Sequence, residues 1–413
     1  MHTCDIAIIG AGPAGAIAAA LLHQQGFHVR VLEKQHFPRF VIGESLLPHC
    51  MEFIEAAGFL AAVESEPGFQ FKNGAAFTWG SRYTHFDFTD KFTQGPGTTF
   101  QVRRAVFDKL LIDEAAKQGV DVRFGKEVIA FDNAGDQAIL DIIRDDGTPY
   151  RLEARFVLDA SGYGRVLPRL LDLETPSNLP PREAHFTHID DHITAADFDR
   201  NKILISTHSG HRDVWLWLIP FADGRASIGV VGLPERFAAF ADSRAIVRQF
   251  ASEVPMLARI LADAVWDNDV PFRSIRGYSA NVKTLHGKHF ALLGNAAEFL
   301  DPVFSSGVTI AMHSAKRASD LLARELRGQA VDWQCEFAEP LMIGVNTFRT
   351  YVEGWYDGRF QDAIYADHRD PGISRMISSI LAGYAWDTQN PFVEKSARRL
   401  DALASMIGRL PYR

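Results

Sequence analysis

The chain has 413 residues, 47% hydrophobic and 23% charged, enough for one large or two medium globular domains around a sizeable core. A formal net charge of -8 argues against nucleic acid or an anionic membrane as the main partner, since either favours a basic face. Three scattered cysteines, Cys4, Cys50 and Cys335, lack CxxC spacing, which argues against a disulfide framework or zinc site and fits a reducing cytoplasm.

In chain order, Asp5 to Ile9 reads as a buried strand, and Gly10-Ala11-Gly12-Pro13-Ala14-Gly15 as a glycine turn opening a helix through Leu22. His28 to Glu33 is a second strand closed by an acid. Gly10 permits the tight turn, Gly12 lets backbone approach a pyrophosphate, and Gly15 lets helix and strand pack closely. Amides at the start of the helix, from Ala14 onward, face the phosphates, and its dipole favours them. Glu33 is placed to accept a hydrogen bond from an adenosine ribose hydroxyl. This motif says adenine dinucleotide and leaves FAD or NAD open. Ile6 to Leu22 is apolar but has no basic leader, so export is not expected. No uninterrupted apolar run of about eighteen residues predicts a membrane span.

A loop at residues 38–48 follows, bounded by glycine and proline, and leads into a helix near His49 to Ala57. Loops at this place lie over the dinucleotide, so Arg39, Glu44 and Ser45 are candidate contacts, with a helix cap as the other reading of Ser45. Residues 69–100 alternate as antiparallel strands and carry Lys72 between aromatic neighbours. Arg103 and Arg104 open a helix ending near Gln118-Gly119, where paired arginines suit phosphate or carboxylate. Strands are expected near 120–124, 128–132, 138–144 and 151–154, with a hairpin at Asp145-Asp146-Gly147. Another buried strand, Phe156 to Asp159, ends in small residues; Ser161 lies outside GxSxG, which rejects a hydrolase elbow.

Proline-rich residues 176–182 mark a boundary or surface loop. His185, His188 and His192 with Asp190 and Asp191 invite a metal reading, but the interleaved apolar residues favour a strand on which 185 and 188 point oppositely, so no metal is expected. Strands at 203–206, 214–220 and 226–231, a helix over 245–264 and a strand over 273–279 follow. The segment from His289 to Pro302 then leads through Ser305-Ser306-Gly307 into a helix ending near Arg327. The aromatic remainder, including Gly354-Trp355-Tyr356-Asp357-Gly358, reads as helical.

The order of these segments is more specific than any one of them. GxGxxG with Glu33, then Val102-x-Arg104-x-x-Phe107-Asp108, then Asp159-Ala160-Ser161-Gly162, then Gly294-Asn295 with Asp301-Pro302 resembles the FAD-dependent hydroxylase superfamily. That superfamily usually has aspartate where Asn295 stands. Within it, Trp215-Leu216-Trp217-Leu218-Ile219-Pro220 matches the WxWxIP signature of the flavin-dependent halogenases, with Val214 replacing the usual preceding glycine. Lys72 sits where that family has its active lysine. The run Asp301 to Val308 resembles the loop whose backbone amides hold halide, at Ser306 and Gly307.

The resemblance implies an α/β fold. It has a glutathione-reductase-type, Rossmann-like FAD-binding domain (1–68, 101–175 and 280–328), an interleaved antiparallel-sheet substrate domain (69–100 and 176–279) and a helical C-terminal cap (329–413). It adds Asp159, Asn295 and Asp301 to the FAD contacts, and makes Trp215, Trp217, Ile219, Pro220 and Phe304 a wall between flavin and substrate. The implied chemistry uses reduced FAD from a separate flavin reductase, dioxygen and chloride or bromide to make hypohalous acid. Lys72 would orient that acid as an ammonium or carry the halogen as a neutral amine, and the sequence leaves both open. Tryptophan halogenases have a glutamate directly before the serine of the halide loop; Phe304 takes that place here. This points away from free tryptophan and toward a phenol, resorcinol or pyrrole, free or held on an acyl carrier protein. A flavoprotein monooxygenase, an isoprenoid-type reductase and a non-catalytic flavin-binding subunit remain as alternatives.

Overall fold

The computed structural model describes residues 2–412. Its first sheet is built on the apolar second half of the first strand, His2–Ile9, in which Ile6, Ala7 and Ile8 are fully buried. A strand covered on both faces reads this way, and its neighbours Val29–Glu33 and Pro149–Asp159 both run parallel to it. Phe290–Leu292 and Asp121–Phe124 extend the sheet outward in the same sense. The carboxyl ends of these strands therefore share one edge, where ligands of open α/β sheets bind.

The sequence pattern suggests two strands within residues 151–159, but Pro149–Asp159 is a single strand of 11 residues. Its first half pairs antiparallel with Ala138–Arg144, and its length from Leu152 onward pairs parallel with the first strand. One strand thereby joins a hairpin to the parallel core.

The second sheet has seven strands in the order 273–276, 183–190, 225–232, 215–220, 202–207, 74–79 and 82–87. All its pairings are antiparallel except that of Lys202–Thr207 with Gly74–Trp79, which is parallel because the chain leaves for the first sheet between them. The period-2 alternation of Trp215–Pro220 divides its side chains. Trp215, Trp217 and Ile219 join the main core facing the first sheet, while Leu216 and Leu218 pack with the helices behind. The single helix expected over 245–264 is two, Ser243–Ser252 and Pro255–Ile260, because Pro255 lacks an amide hydrogen and opens the second.

Residues beyond Leu326 are mainly helical, with Glu339–Asp357 burying Tyr351 and Trp355. Among the described residues, no helix is long and apolar enough to cross a membrane. His185 and His188 lie on opposite faces of their strand. The first contacts Ser243 Oγ at 2.9 Å and the second Glu44 at 2.7 Å, so they share no ligand position.

Candidate cofactor and active site

A cavity of about 630 Å³ opens at the shared carboxyl edge of the parallel strands. The glycine turn forms its floor for a local reason. Gly10 has φ +98°, and a Cβ there would lie 2.6 Å from the Ala160 carbonyl; at Gly15 one would lie 2.0 Å from the Gly10 carbonyl. These two glycines serve the turn and the packing beneath it. Gly12 is different: a Cβ there would meet nothing nearer than Arg39 Nη2 at 3.7 Å, so the space above it is open and suits a pyrophosphate. Glu33 is pinned at the wall, with Oε2 accepting from the Ala11 amide at 2.9 Å and Oε1 from the Gln35 amide at 2.8 Å. A carboxylate oxygen has a second lone pair, leaving each able to accept again.

The other predicted contacts divide into wall and scaffold. Gly10, Gly12, Pro13, Ala14, Glu33, Arg39, Glu44, Ser45, Arg104 and Asn295 line the cavity. Arg104 also anchors the loop above it, bonding both oxygens of Asp108 at 2.7 and 3.0 Å and the Ile42 carbonyl at 3.0 Å. Asp159 stands behind the wall, buried, with its oxygens accepting from the Ser161 and Leu167 amides; it shapes the turn at residues 160–167 rather than facing the cavity. Asn295 Oδ1 is buried without a partner at the wall, a polar atom waiting for a donor from a ligand. The open cradle at Gly12, the acid at the second strand and this orphaned oxygen together fit FAD.

Opposite the glycine turn, Trp215, Trp217 and Ile219 form the far wall. Each indole is fixed: Trp215 Nε1 donates to Tyr356 Oη at 2.9 Å and Trp217 Nε1 to Ser227 Oγ at 3.0 Å. Gly229 makes room for the second, since a Cβ there would lie 2.3 Å from the Trp217 ring. Pro220 lies off this wall, its carbonyl accepting from Gln101 Nε2 at 3.1 Å.

Lys72 sits one side chain behind the cavity and is fully buried. Its Nζ donates to Ser45 Oγ, on the wall, and to the Leu46 carbonyl, both at 2.7 Å. Burial away from any carboxylate pushes its pKa down to about 7.

Between the cofactor cavity and the C-terminal helices runs the loop from Asp301 to Val308. Ser305 adopts the left-handed conformation (φ 56°) and hands the chain to the 21-residue helix Ser306–Leu326, so the Ser306 and Gly307 amides belong to its first turn and have no intrahelical acceptor. Gly307 reaches the cavity wall, whereas Ser306 is buried beside it. Amides at a helix start suit an anion. Phe304 is turned away, edge-on to Trp355 and Phe360 at 5.8 and 5.4 Å between centroids, so it packs into the C-terminal helices rather than lining the cavity.

Asp301 also stands off the wall, inside a network that the sequence analysis missed. Its Oδ2 accepts from Tyr356 at 2.8 Å and Tyr278 at 3.4 Å, and its Oδ1 from the Val303 amide at 3.0 Å. The Arg182 guanidinium lies 3.3 Å from the Tyr356 ring centre. Burial raises the Asp301 carboxyl to about 6, against the opposing pull of Arg182. These partners come from three distant segments, and no local pattern marks them.

Comparison with known proteins places this geometry. A family model described as FAD binding domain matches residues 3–339. The chain is 28% identical to 1H-pyrrole-2-carbonyl-(peptidyl-carrier protein) chlorinase of Pseudomonas fluorescens, over 98% of this chain and 92% of that protein. It is 31% identical to flavin-dependent halogenase armH3 of Armillaria mellea, over 91% of this chain and 79% of that one. Its structure is similar to the crystal structure of a flavoprotein/dehydrogenase from Cytophaga hutchinsonii, with TM-score 0.94 and 43% identity, covering 98% and 99% of the two chains.

Proposed function

We propose, for a chain that belongs to the FAD-binding domain family and within it to the flavin-dependent halogenases, that hypohalous acid, made from dioxygen and halide with electrons carried by FAD, is directed by Lys72 onto an electron-rich aromatic ring. The carrying observation is the buried Lys72 ammonium bonded to Ser45 of the cofactor wall. With a pKa near 7, Lys72 exists both as a proton donor and as a nucleophilic amine at neutral pH. Gly10, Gly12, Pro13, Ala14, Glu33, Arg39, Glu44, Ser45, Arg104 and Asn295 would hold FAD, with Gly15 and Asp159 shaping its cradle from behind. The Ser306 and Gly307 amides would hold chloride or bromide, and Asp301 would fix their loop.

Trp215, Trp217 and Ile219 keep the aromatic substrate on the far side from the cofactor, so only a small oxidant passes. Phe304 supplies no carboxylate to remove a ring proton, which favours rings that need little help: a phenol, a resorcinol or a pyrrole. The pyrrole carrier-protein chlorinase among the relatives supports a carrier-bound acyl aromatic as one such substrate. A separate flavin reductase would supply the reduced cofactor. The three free cysteines suit a reducing cytoplasm.

The test is rapid mixing of the anaerobically reduced, FAD-loaded protein with dioxygen, with and without chloride or bromide, followed by a phenol and pyrrole product screen. Halide-dependent acceleration of flavin reoxidation, with halogenated product lost in Lys72→Ala, supports the proposal. The 43%-identical flavoprotein/dehydrogenase favours a second reading, transfer of hydride to or from an organic substrate. Reoxidation indifferent to both halides and slow with dioxygen would select it.

A further inference from the structure

Glu44 presents an unusual arrangement at the cofactor wall. It is 1% exposed, and its Oε1 lies 2.7 Å from Nε2 of His188, itself 6% exposed. A carboxylate can only accept, so the hydrogen in this contact is held on the histidine side. The other carboxylate oxygen, Oε2, is buried with no partner at all, although Glu44 lines the cavity. An unpartnered buried carboxylate oxygen is costly unless a ligand donor meets it. The glutamate backbone is fixed as well, because its carbonyl accepts from the Val102 amide at 2.7 Å. His188 is held by its strand and packs between the rings of Phe40 and Phe221, with centroids 5.8 and 5.1 Å away. The imidazole therefore cannot swing away from Glu44 without disturbing two aromatic neighbours.

We infer that His188 is a positioning residue for the cofactor: it clamps Glu44 so that the free Oε2 accepts a hydrogen bond from a ring N–H or ribityl hydroxyl of bound flavin. This rests on FAD occupying the cavity described above. It gives a function to a histidine whose strand position rules it out as a metal ligand beside His185. The same backbone step carries Ser45, the partner of Lys72, so the clamp also holds the wall from which the lysine is reached.

The test is titration of the cofactor-free protein with oxidised FAD, together with the midpoint potential of the bound flavin. Glu44→Gln, which offers a donor where an acceptor is needed, is expected to weaken FAD about tenfold or more and to raise the potential by removing a neighbouring negative charge. His188→Leu is expected to weaken FAD comparably, His188→Gln to recover most of the loss through its amide donor, and the double variant Glu44→Gln with His188→Leu to lose no more than either alone. Unchanged affinity and potential in Glu44→Gln, which preserves shape, would overturn the proposal even if His188→Leu fails to fold. Additive losses in the double variant would overturn the coupling. Gly12→Val separates the two layers: if it too leaves FAD affinity unchanged, the cavity assignment fails, and if it alone weakens FAD, only the His188 clamp fails.

Discussion

Lys72 Nζ lies 2.7 Å from Ser45 Oγ, so a side chain wholly inside the protein is one hydrogen bond from the cofactor cavity. That contact joins the small strand Gln70–Lys72 to the loop that follows the second strand of the parallel sheet. It places the only polar end of Lys72 at the boundary between the two sheets. Lys72→Ala is expected to abolish halogenated product while FAD still binds and reduced flavin still consumes dioxygen to peroxide. Product analysis beside a peroxide assay checks this, and retained halogenation removes Lys72 from the mechanism.

The buried lysine also makes stability depend on pH. Its unfolded pKa is 10.5 and its folded value about 7, so between these limits the unfolded chain holds more protons and stability falls as pH falls. Lys72→Met has no such proton to lose. The variant's stability advantage over the parent is expected to grow by roughly 1.4 kcal/mol for each unit of pH descended in that window and to level off below about 7. Denaturant unfolding across the range measures it; a difference independent of pH would mean that the lysine is not buried as described.

The halogenation rate should carry the same titration. Burial favours the neutral amine, so the rate is expected to climb through pH near 7 and reach a plateau in the alkaline range, consistent with an amine that receives the halogen. A rate that falls through that pH assigns the work to the ammonium instead.

Gly12→Val isolates cofactor contact from folding. Because a Cβ at Gly12 meets only the flexible end of Arg39 at 3.7 Å, the cofactor-free variant is expected to unfold within about 0.5 kcal/mol of the parent. Its FAD dissociation constant is expected to rise about tenfold or more, since the new methyls take the space of the pyrophosphate. Calorimetry without cofactor and flavin titration separate the two effects.

Tyr356→Phe removes one oxygen that both accepts from Trp215 and donates to Asp301. The buried indole N–H is left unpaired, at a cost of about 1–3 kcal/mol. The loop from Asp301 to Val308 loses a tie at the same time. We expect a raised KM for halide with little change in FAD affinity; equal loss in both would show a general unfolding of the site.

Replacing Trp217 by alanine opens the wall next to Gly229. Hypohalous acid is then expected to escape, read as more halogenation of a soluble trap per dioxygen consumed and less of the aromatic substrate. An unchanged partition returns Trp217 to a packing role.

Local chemistry alone determined much of this protein. The glycine spacing at residues 10–15 dictates a turn that only small residues can make, and Glu33 follows at a fixed distance because the intervening helix and strand have fixed lengths. Period-2 alternation placed Trp215, Trp217 and Ile219 on one face, and the order of segments pointed to FAD and to a halogenase. The tertiary structure decided which of the named residues face the cavity. Asp159, Asp301, Phe304 and Pro220 belong to the right segments yet stand behind or beside the wall: the two aspartates turn inward to accept from nearby backbone amides, and Phe304 packs against Trp355 and Phe360. The same applies to the partners that hold the site. His188 reaches Glu44 across 144 residues of chain and Tyr356 reaches Asp301 across 55, and such pairs arise from the packing of two sheets and the C-terminal helices, which no local spacing encodes.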